Sequence, residues 1–132
     1  MPIQRLNPPS LSKPTGYSHA TLVTAGRQVH VSGQLALNAS GEIVGKGDIA
    51  AQTEQVYQNL KAALSAAGAD MRHVFKLVTY VVDLTPARAA EIRKVRLAHL
   101  PEGDHPASTM VGTTALVHPD FLIDVEAIAL LD

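Results

Sequence analysis

Residues 47–84 read GDIAAQTEQVYQNLKAALSAAGADMRHVFKLVTYVVDL, a helical pattern followed directly by a strand pattern. Between residues 49 and 67, apolar side chains recur at intervals of three and four, the spacing of one face of an α-helix. Asp48 is a favourable N-cap residue, and Gly68 can end the helix in a left-handed conformation. The β-branched run at residues 74–84 then favours a strand.

Shorter elements precede this helix and strand. A strand or arm at residues 3–6 is followed by irregular chain, because prolines break up the first sixteen residues. Residues 17–37 contain two β-rich runs separated by Gly26, which predicts a hairpin. The stretch EIVG at residues 42–45 is expected to extend the same antiparallel sheet.

A second helix and two further strands complete the pattern. Thr85 is the expected N-cap of the second helix and Pro86 is the first residue of that helix. A weaker apolar face follows and ends before Pro101, formed by Ala89, Ile92, Val95, Arg96 and Leu100. Residues 107–117 and 122–131 are expected to be strands. The order is therefore β-β-β-α-β-α-β-β within one domain spanning residues 1–132.

This order predicts an α/β (α+β) fold, a mixed β-sheet with both helices on one face. Two amphipathic helices can cover only the side against which they pack, so the second face of the sheet needs another cover. Alternate strand residues are apolar or small on both sides, as in VHVS at 29–32 and LVTYV at 77–81. We therefore expect the second face to pack against copies of the same chain.

Composition argues against several classes of partner. Aromatic residues make up only 4% of the 132 residues and Trp is absent, which disfavours base stacking. The formal charge is -1 and no run of like charge could follow a phosphate backbone or anionic lipid, so neither nucleic acid nor membrane is expected as a partner. No cysteine is available for a disulfide, a thiolate nucleophile or a Cys-ligated zinc site. Without a signal-peptide pattern or a long apolar run, we expect a soluble, cytoplasmic protein.

The histidines and serines offer only weak catalytic signals. Six histidines show no HxH or HExxH spacing, so structural or surface roles are favoured over a metal site. Ser32 lies in VSGQ, within a strand, and no GxSxG elbow is present to support a serine nucleophile. Its neighbour Gly33 is more informative, because a glycine inside a strand marks a bulge or a close approach. A ligand and a neighbouring subunit are both possible causes of that approach.

Asp124 and Glu126 lie on the same face of the last strand, since residues two apart in a strand point the same way. Acids within the apolar run FLIDVEAIALL need hydrogen bonds or a chemical task. A carboxylate beside a pocket can position water or accept its proton. The structural alternative is that backbone amides or an arginine of another strand satisfy both acids.

Five stretches in this order resemble the RidA (YjgF) family over nearly the whole chain. They are GYSHA (16–20), VHVSGQLAL (29–37), residues 47–69, PAST (106–109) and LIDVEAIA (122–129). The resemblance implies a chorismate-mutase-like subunit in a homotrimer, with a small-molecule cleft between neighbouring subunits. In the founding branch of the family, the enzyme hydrolyses imines and enamines to 2-keto acids and ammonia without a cofactor.

The resemblance also implies roles for individual residues. Tyr17 would shape the cleft, Ser32 and Gly33 would form a wall, and Asp124 would orient the attacking water as the catalytic group. The founding branch has an arginine directly after Pro-Ala that clamps the substrate carboxylate, and here that position is Ser108.

We therefore expect Ser108 and Thr109 to bind a substrate other than the usual 2-imino acid, through neutral donors. Arg93 or Arg96 of the second helix remains a possible replacement for the missing guanidinium. The leading hypothesis is a deaminase-like hydrolase of a C–N bond. The alternative is a non-catalytic protein that binds or senses a small metabolite, and ribonuclease activity ranks last.

Overall fold

The computed structural model describes residues 3–132, which form six strands and two α-helices. Their order along the chain is β-β-β-α-β-α-β-β, as predicted from the sequence. The strands are β1 (Ile3–Leu6), β2 (Ala20–Val23), β3 (Arg27–Gln34), β4 (Val74–Val82), β5 (Ala107–Thr113) and β6 (Ile123–Leu131). The helices are α1 (Ile49–Ala66) and α2 (Pro86–His99), and a single 3-10 turn, Met71–His73, leads into β4.

The main sheet has four strands in the order β3-β6-β4-β5. β4 and β5 are parallel, whereas β6 is antiparallel to both of its neighbours. The predicted mixed sheet is thus confirmed. β5 is shorter than expected from the sequence because β4, the strand it pairs with, ends at Val82, which lies opposite Thr113.

The predicted hairpin between the runs on either side of Gly26 is wrong. β2 pairs with β1 in a separate two-stranded ribbon, while β3 pairs with β6. Gly26 has a φ of 111°, and a side chain there would collide with the Leu131 carbonyl at the end of β6. The turn therefore sets β3 against β6 instead of folding it back onto β2. Residues 42–45 add no strand to the main sheet and make one bridge, Leu37 to Ile43.

Both helices begin where the sequence indicates. The Asp48 side chain accepts a hydrogen bond from the Ala51 amide, and Thr85 accepts one from the Arg88 amide at the start of α2. α1 packs against β3, β6 and α2. The residues that α1 buries keep the helical spacing seen in the sequence, namely Ile49, Gln52, Thr53, Val56, Tyr57, Leu60 and Leu64.

The sheet has one covered face and one uncovered face. Leu77 and Val81 of β4 are fully buried on the helix side. Val78 and Tyr80, which alternate with them, are only partly buried on the other side. We call this second side the open face. A cavity of about 260 Å³ lies on it, lined by His30, Val31, Ser32, Lys76, Val78, Glu126, Ala127 and Ile128.

Candidate functional site

Asp124 stands on the open face in the middle of the sheet. It lies on β6 directly opposite Tyr80 of β4, and Glu126 follows two residues later on the same face. The Tyr80 hydroxyl donates to Glu126 Oε1 at 3.4 Å. The negative charge of Glu126 raises the pKa of the Tyr80 phenol, which keeps it protonated as a donor.

Gly33 makes room for the Asp124 carboxylate. The register between β3 and β6 shifts between Val31 and Gln34, which confirms a bulge at the glycine. A Cβ on Gly33 would overlap Asp124 Oδ1 and lie 2.9 Å from Cγ. The group that approaches the glycine is therefore a side chain of the same chain, and neither a ligand nor a neighbouring subunit is needed to explain it.

The Asp124 carboxylate is partly buried without a full set of hydrogen bonds. Oδ1 is buried and has no hydrogen-bond partner among residues 3–132. Burial raises the pKa of Asp124 above its usual value, and the nearby Glu126 charge adds to the rise. The backbone amides or arginine that could have satisfied this acid do not reach Oδ1. A carboxylate of this kind is suited to holding a water molecule and exchanging a proton with it.

Gln52 fixes the chain that enters β6. This fully buried side chain donates to the carbonyl oxygens of Gly45 (3.2 Å) and Asp120 (2.8 Å) and accepts from the Leu122 amide (2.8 Å). Since Leu122 lies two residues before Asp124, these bonds tie the strand that carries Asp124 to α1.

We call Ser32, Gly33 and Asp124 the acid end of the site. Both Ser32 and Gly33 are exposed.

Tyr17 lies beside the start of β5. The amide of Ser18 donates to the Pro106 carbonyl at 2.9 Å, and its hydroxyl donates to the His105 carbonyl at 2.6 Å. These bonds hold the half-buried Tyr17 next to the edge of the sheet that carries Ser108. The Tyr17 ring also packs edge-on against His19, with ring centroids 5.4 Å apart.

Arg96 supplies a guanidinium beside Ser108. This residue of α2 is 4% exposed, and its Nη1 donates to Ser108 Oγ at 3.5 Å. Its Nη2 donates to the Gly16 carbonyl at 3.4 Å. Of the two arginines that the sequence left open, Arg96 is the one that contacts Ser108. The expectation that neutral donors alone surround position 108 is wrong, because a cation from another element reaches it.

The sequence contained a signal for Arg96. Ile92 and Arg96 of α2 and Leu100, the residue directly after the helix, recur every four residues in the apolar pattern, and all three are buried. A charged residue in such a stripe is expected to have a buried partner or task. We call Tyr17, Arg96 and Ser108 the arginine end of the site.

The two ends do not meet within one chain. Ser108 lies opposite Leu77 and faces the helices, whereas Asp124 lies opposite Tyr80 and faces away from them. β4 separates their strands, so the two residues are at least about 10 Å apart. Thr109 points to the open face and is exposed, so it does not share a wall with Ser108.

Two other properties concern cofactors and membranes. Within residues 3–132, no three His, Asp or Glu side chains come together as potential metal ligands. In the same part of the chain, no helix has both the length and the apolar content to cross a bilayer.

Comparison with known proteins identifies the family. The family model described as Endoribonuclease L-PSP matches residues 9–131. Protein DfrA of Myxococcus xanthus is 35% identical over 114 residues, which cover 86% of this chain and 83% of that protein. A RutC family protein of Pyrococcus horikoshii is 40% identical over 119 residues, 89% of each chain.

Solved structures agree with the sequence comparison. YyfB of Yersinia pestis, described as a member of the conserved Rid protein family, has a TM-score of 0.94 and 42% identity over 99% of this chain and 100% of its own. The chain belongs to the RidA (YjgF) family. RidA from the Antarctic bacterium Psychrobacter sp. is more distant, with a TM-score of 0.72 and 31% identity over 91% of this chain and 92% of that one. The family and fold expected from the sequence are confirmed.

Proposed function

We propose that this RidA-family protein hydrolyses the C–N bond of a small imine or enamine. The observation that carries the proposal is the Asp124 carboxylate, which is wedged against Gly33 with a buried oxygen that lacks a protein partner. Such an oxygen can accept a hydrogen bond from water and direct its lone pair towards an electrophilic carbon.

The reaction needs water and no cofactor. Water adds to the imine carbon while Asp124 accepts its proton, and the proton then passes to nitrogen. Collapse of the resulting carbinolamine breaks the C–N bond and gives a carbonyl compound and ammonia. The raised pKa of Asp124 suits this task, because a general base works best when its pKa approaches the ambient pH.

The active site would lie between subunits of a homotrimer. Its acid end and arginine end occupy separate parts of one chain, so a complete cleft requires the acid end of one subunit to meet the arginine end of the next. The open face, with its partly buried Val78 and exposed Val111, would be covered in the same assembly. Light scattering should give a mass three times the 14.0 kDa of the chain.

The substrate would differ from the 2-imino acid of the founding branch. Where that branch carries an arginine on the strand itself, Ser108 presents only a short hydroxyl, and the guanidinium of Arg96 sits 3.5 Å behind it. A ligand must therefore reach deeper, or carry its polar group differently. An endoribonuclease role, which the family description names, is less favoured because the net charge is -1 and aromatic residues are scarce.

The test is release of ammonia from a panel of imines generated in solution, compared with their decay in buffer. Wild-type protein should accelerate at least one, and Asp124→Asn should lose about 100-fold or more of that rate. Asp104→Asn, in an exposed loop, is the control and should retain full activity. If no imine decays faster than in buffer while small metabolites still bind, the protein is the non-catalytic binding protein of the alternative hypothesis.

A further inference from the structure

Glu126 lies between two possible partners on β4. It is directly opposite Val78, so Lys76 stands diagonally to one side of it and Tyr80 diagonally to the other, all on the open face. Lys76 and Glu126 also line the same cavity. Since opposite charges on neighbouring strands attract each other, an ion pair with this lysine would be the ordinary way to satisfy the carboxylate.

The Glu126 carboxylate makes the other contact. Its Oε1 accepts a hydrogen bond from the Tyr80 hydroxyl at 3.4 Å. Among residues 3–132, no carboxylate lies within 4.0 Å of the Lys76 ammonium, because the ion pairs in this part of the chain involve other groups. The negative charge of Glu126 is therefore held on the side of Tyr80, and the nearby cation does not neutralise it.

This contact brings the Glu126 charge towards Asp124. Tyr80 is directly opposite Asp124, and Glu126 follows two residues later on β6. The Cα atoms of the two acids are thus about 7 Å apart, with both side chains on the open face. Burial is the main cause of the raised pKa of Asp124, and the charge of Glu126 is the second.

The other charged or titratable side chains of the open face stand further from Asp124. His30 of β3 and Lys76 of β4 both lie opposite Ile128, four residues further along β6. The helices pack on the opposite face of the sheet. The outward residues of β5 carry no ionisable group, since they are Ala107, Thr109, Val111 and Thr113.

We propose that Glu126, turned towards Asp124 by the Tyr80 hydroxyl, is a positioning residue that strengthens Asp124 as a proton acceptor. A like charge close by makes a carboxylate hold its proton more tightly. Glu126 would act on the reaction only through Asp124, without contact with the substrate. The inference rests on the proposed function, since it concerns the general base of that reaction.

The proton affinity of Asp124 can be measured without turnover. NMR titration of its side-chain carboxyl carbon would compare the wild type with Glu126→Gln, which removes the charge and keeps the shape. Two charges about 7 Å apart in water-like surroundings change a proton-binding constant about threefold, and burial increases the effect. The proton-binding constant of Asp124 should therefore fall about threefold or more in Glu126→Gln.

Tyr80→Phe tests the hydroxyl. Without it, the Glu126 carboxylate is free to turn to the Lys76 ammonium, so the proton-binding constant of Asp124 should fall by a smaller factor than in Glu126→Gln. An unchanged titration in Tyr80→Phe would overturn the role assigned to the hydroxyl.

Glu91→Gln is the matched control. It removes a negative charge from an exposed position on α2, on the other side of the sheet, and should leave the Asp124 titration unchanged. No change in Glu126→Gln, or an equal change in the Glu91 and Glu126 variants, would overturn the inference.

Kinetics separate this inference from the proposed function. In Glu126→Gln, the acidic limb of kcat/KM plotted against pH should move to lower pH by the same factor as the titration. A purely structural defect would lower kcat/KM at every pH without moving that limb. If no imine is hydrolysed but Asp124 still loses proton affinity in Glu126→Gln, the catalytic proposal fails and the coupling between the two acids stands. If hydrolysis proceeds while the titration and the limb both stay in place, the coupling fails and the catalytic proposal stands.

Discussion

Replacing Gly33 with alanine would test the fit between the two strands that carry the acid end. The new Cβ would overlap Asp124 Oδ1 and lie 2.9 Å from Cγ, short of the 3.4 Å at which ordinary contact begins. The carboxyl group must therefore retreat by about 0.5 Å at Cγ, and further at Oδ1. Because Gly33 does not have a positive φ, the backbone itself accepts alanine and the effect isolates this contact.

Two opposing free energies set the change in stability. Overpacking costs about 1–3 kcal/mol, whereas the reduced freedom of the unfolded chain returns about 0.4–1 kcal/mol. We expect a net loss of about 1–2 kcal/mol in the free energy of unfolding. Activity should fall much further, about 100-fold, because a displacement near 1 Å is enough to misplace a catalytic group.

The assay is urea denaturation at one fixed protein concentration, combined with a double-mutant cycle. In an Asp124→Ala background the obstruction is gone, so Gly33→Ala should cost nothing or stabilise slightly. Gly112→Ala is the control within the same sheet, since its Cβ would meet Leu84 at an ordinary 3.4 Å. If Gly33→Ala costs the same with and without the Asp124 carboxylate, the strands are not coupled through this contact and our account of the acid end is refuted.

Three further changes have defined outcomes. Gln52→Leu should cost about 2–4 kcal/mol in urea denaturation, because it leaves the partly buried Asp120 carbonyl and Leu122 amide without their hydrogen-bond partner, whereas the exposed Gln58→Leu should change stability by less than about 0.5 kcal/mol. Thr85→Ala should cost about 1 kcal/mol by the same measurement, through loss of the α2 cap. The raised pKa of Asp124 favours its protonated form in the folded state. The stabilisation that protonated Asp124 adds to the fold is therefore complete below the unfolded pKa of about 3.9 and is lost as pH rises through the folded pKa. In thermal denaturation from pH 3.5 to 7, the Tm of Asp124→Asn should increase relative to that of the wild type as pH rises. Parallel plots of Tm against pH for the two proteins would contradict this.

The elements that depend on local signals could be predicted from the sequence. α1 begins after Asp48 and gives way near Gly68 because the cap, the apolar spacing and the glycine all act within a few residues. Strand pairing could not be read in the same way. β2 and β3 are adjacent in sequence, yet each pairs with a distant partner, and the Leu131 carbonyl that blocks a side chain at Gly26 lies over 100 residues away.

The same distinction between local signals and long-range packing applies to the candidate site. A bulge at Gly33 was predictable because glycine is unfavourable inside a strand, but the group that fills the space comes from β6. Arg96 was visible as a charge in an apolar stripe, but its contact with Ser108 depends on how α2 lies across the sheet. Sequence therefore indicated where chemistry is concentrated, and the long-range packing determined which groups face one another.

The separation of the acid end from the arginine end has a genetic consequence. In the proposed homotrimer, a chain impaired at Asp124 and a chain impaired at the arginine end would each have reduced activity alone, yet each would retain one intact end. In mixed rings assembled at random from equal amounts, about one quarter of the clefts would receive two intact ends. Co-expression of the two impaired chains would then raise activity above that of either alone, whereas a single chain carrying both lesions would complement neither of them.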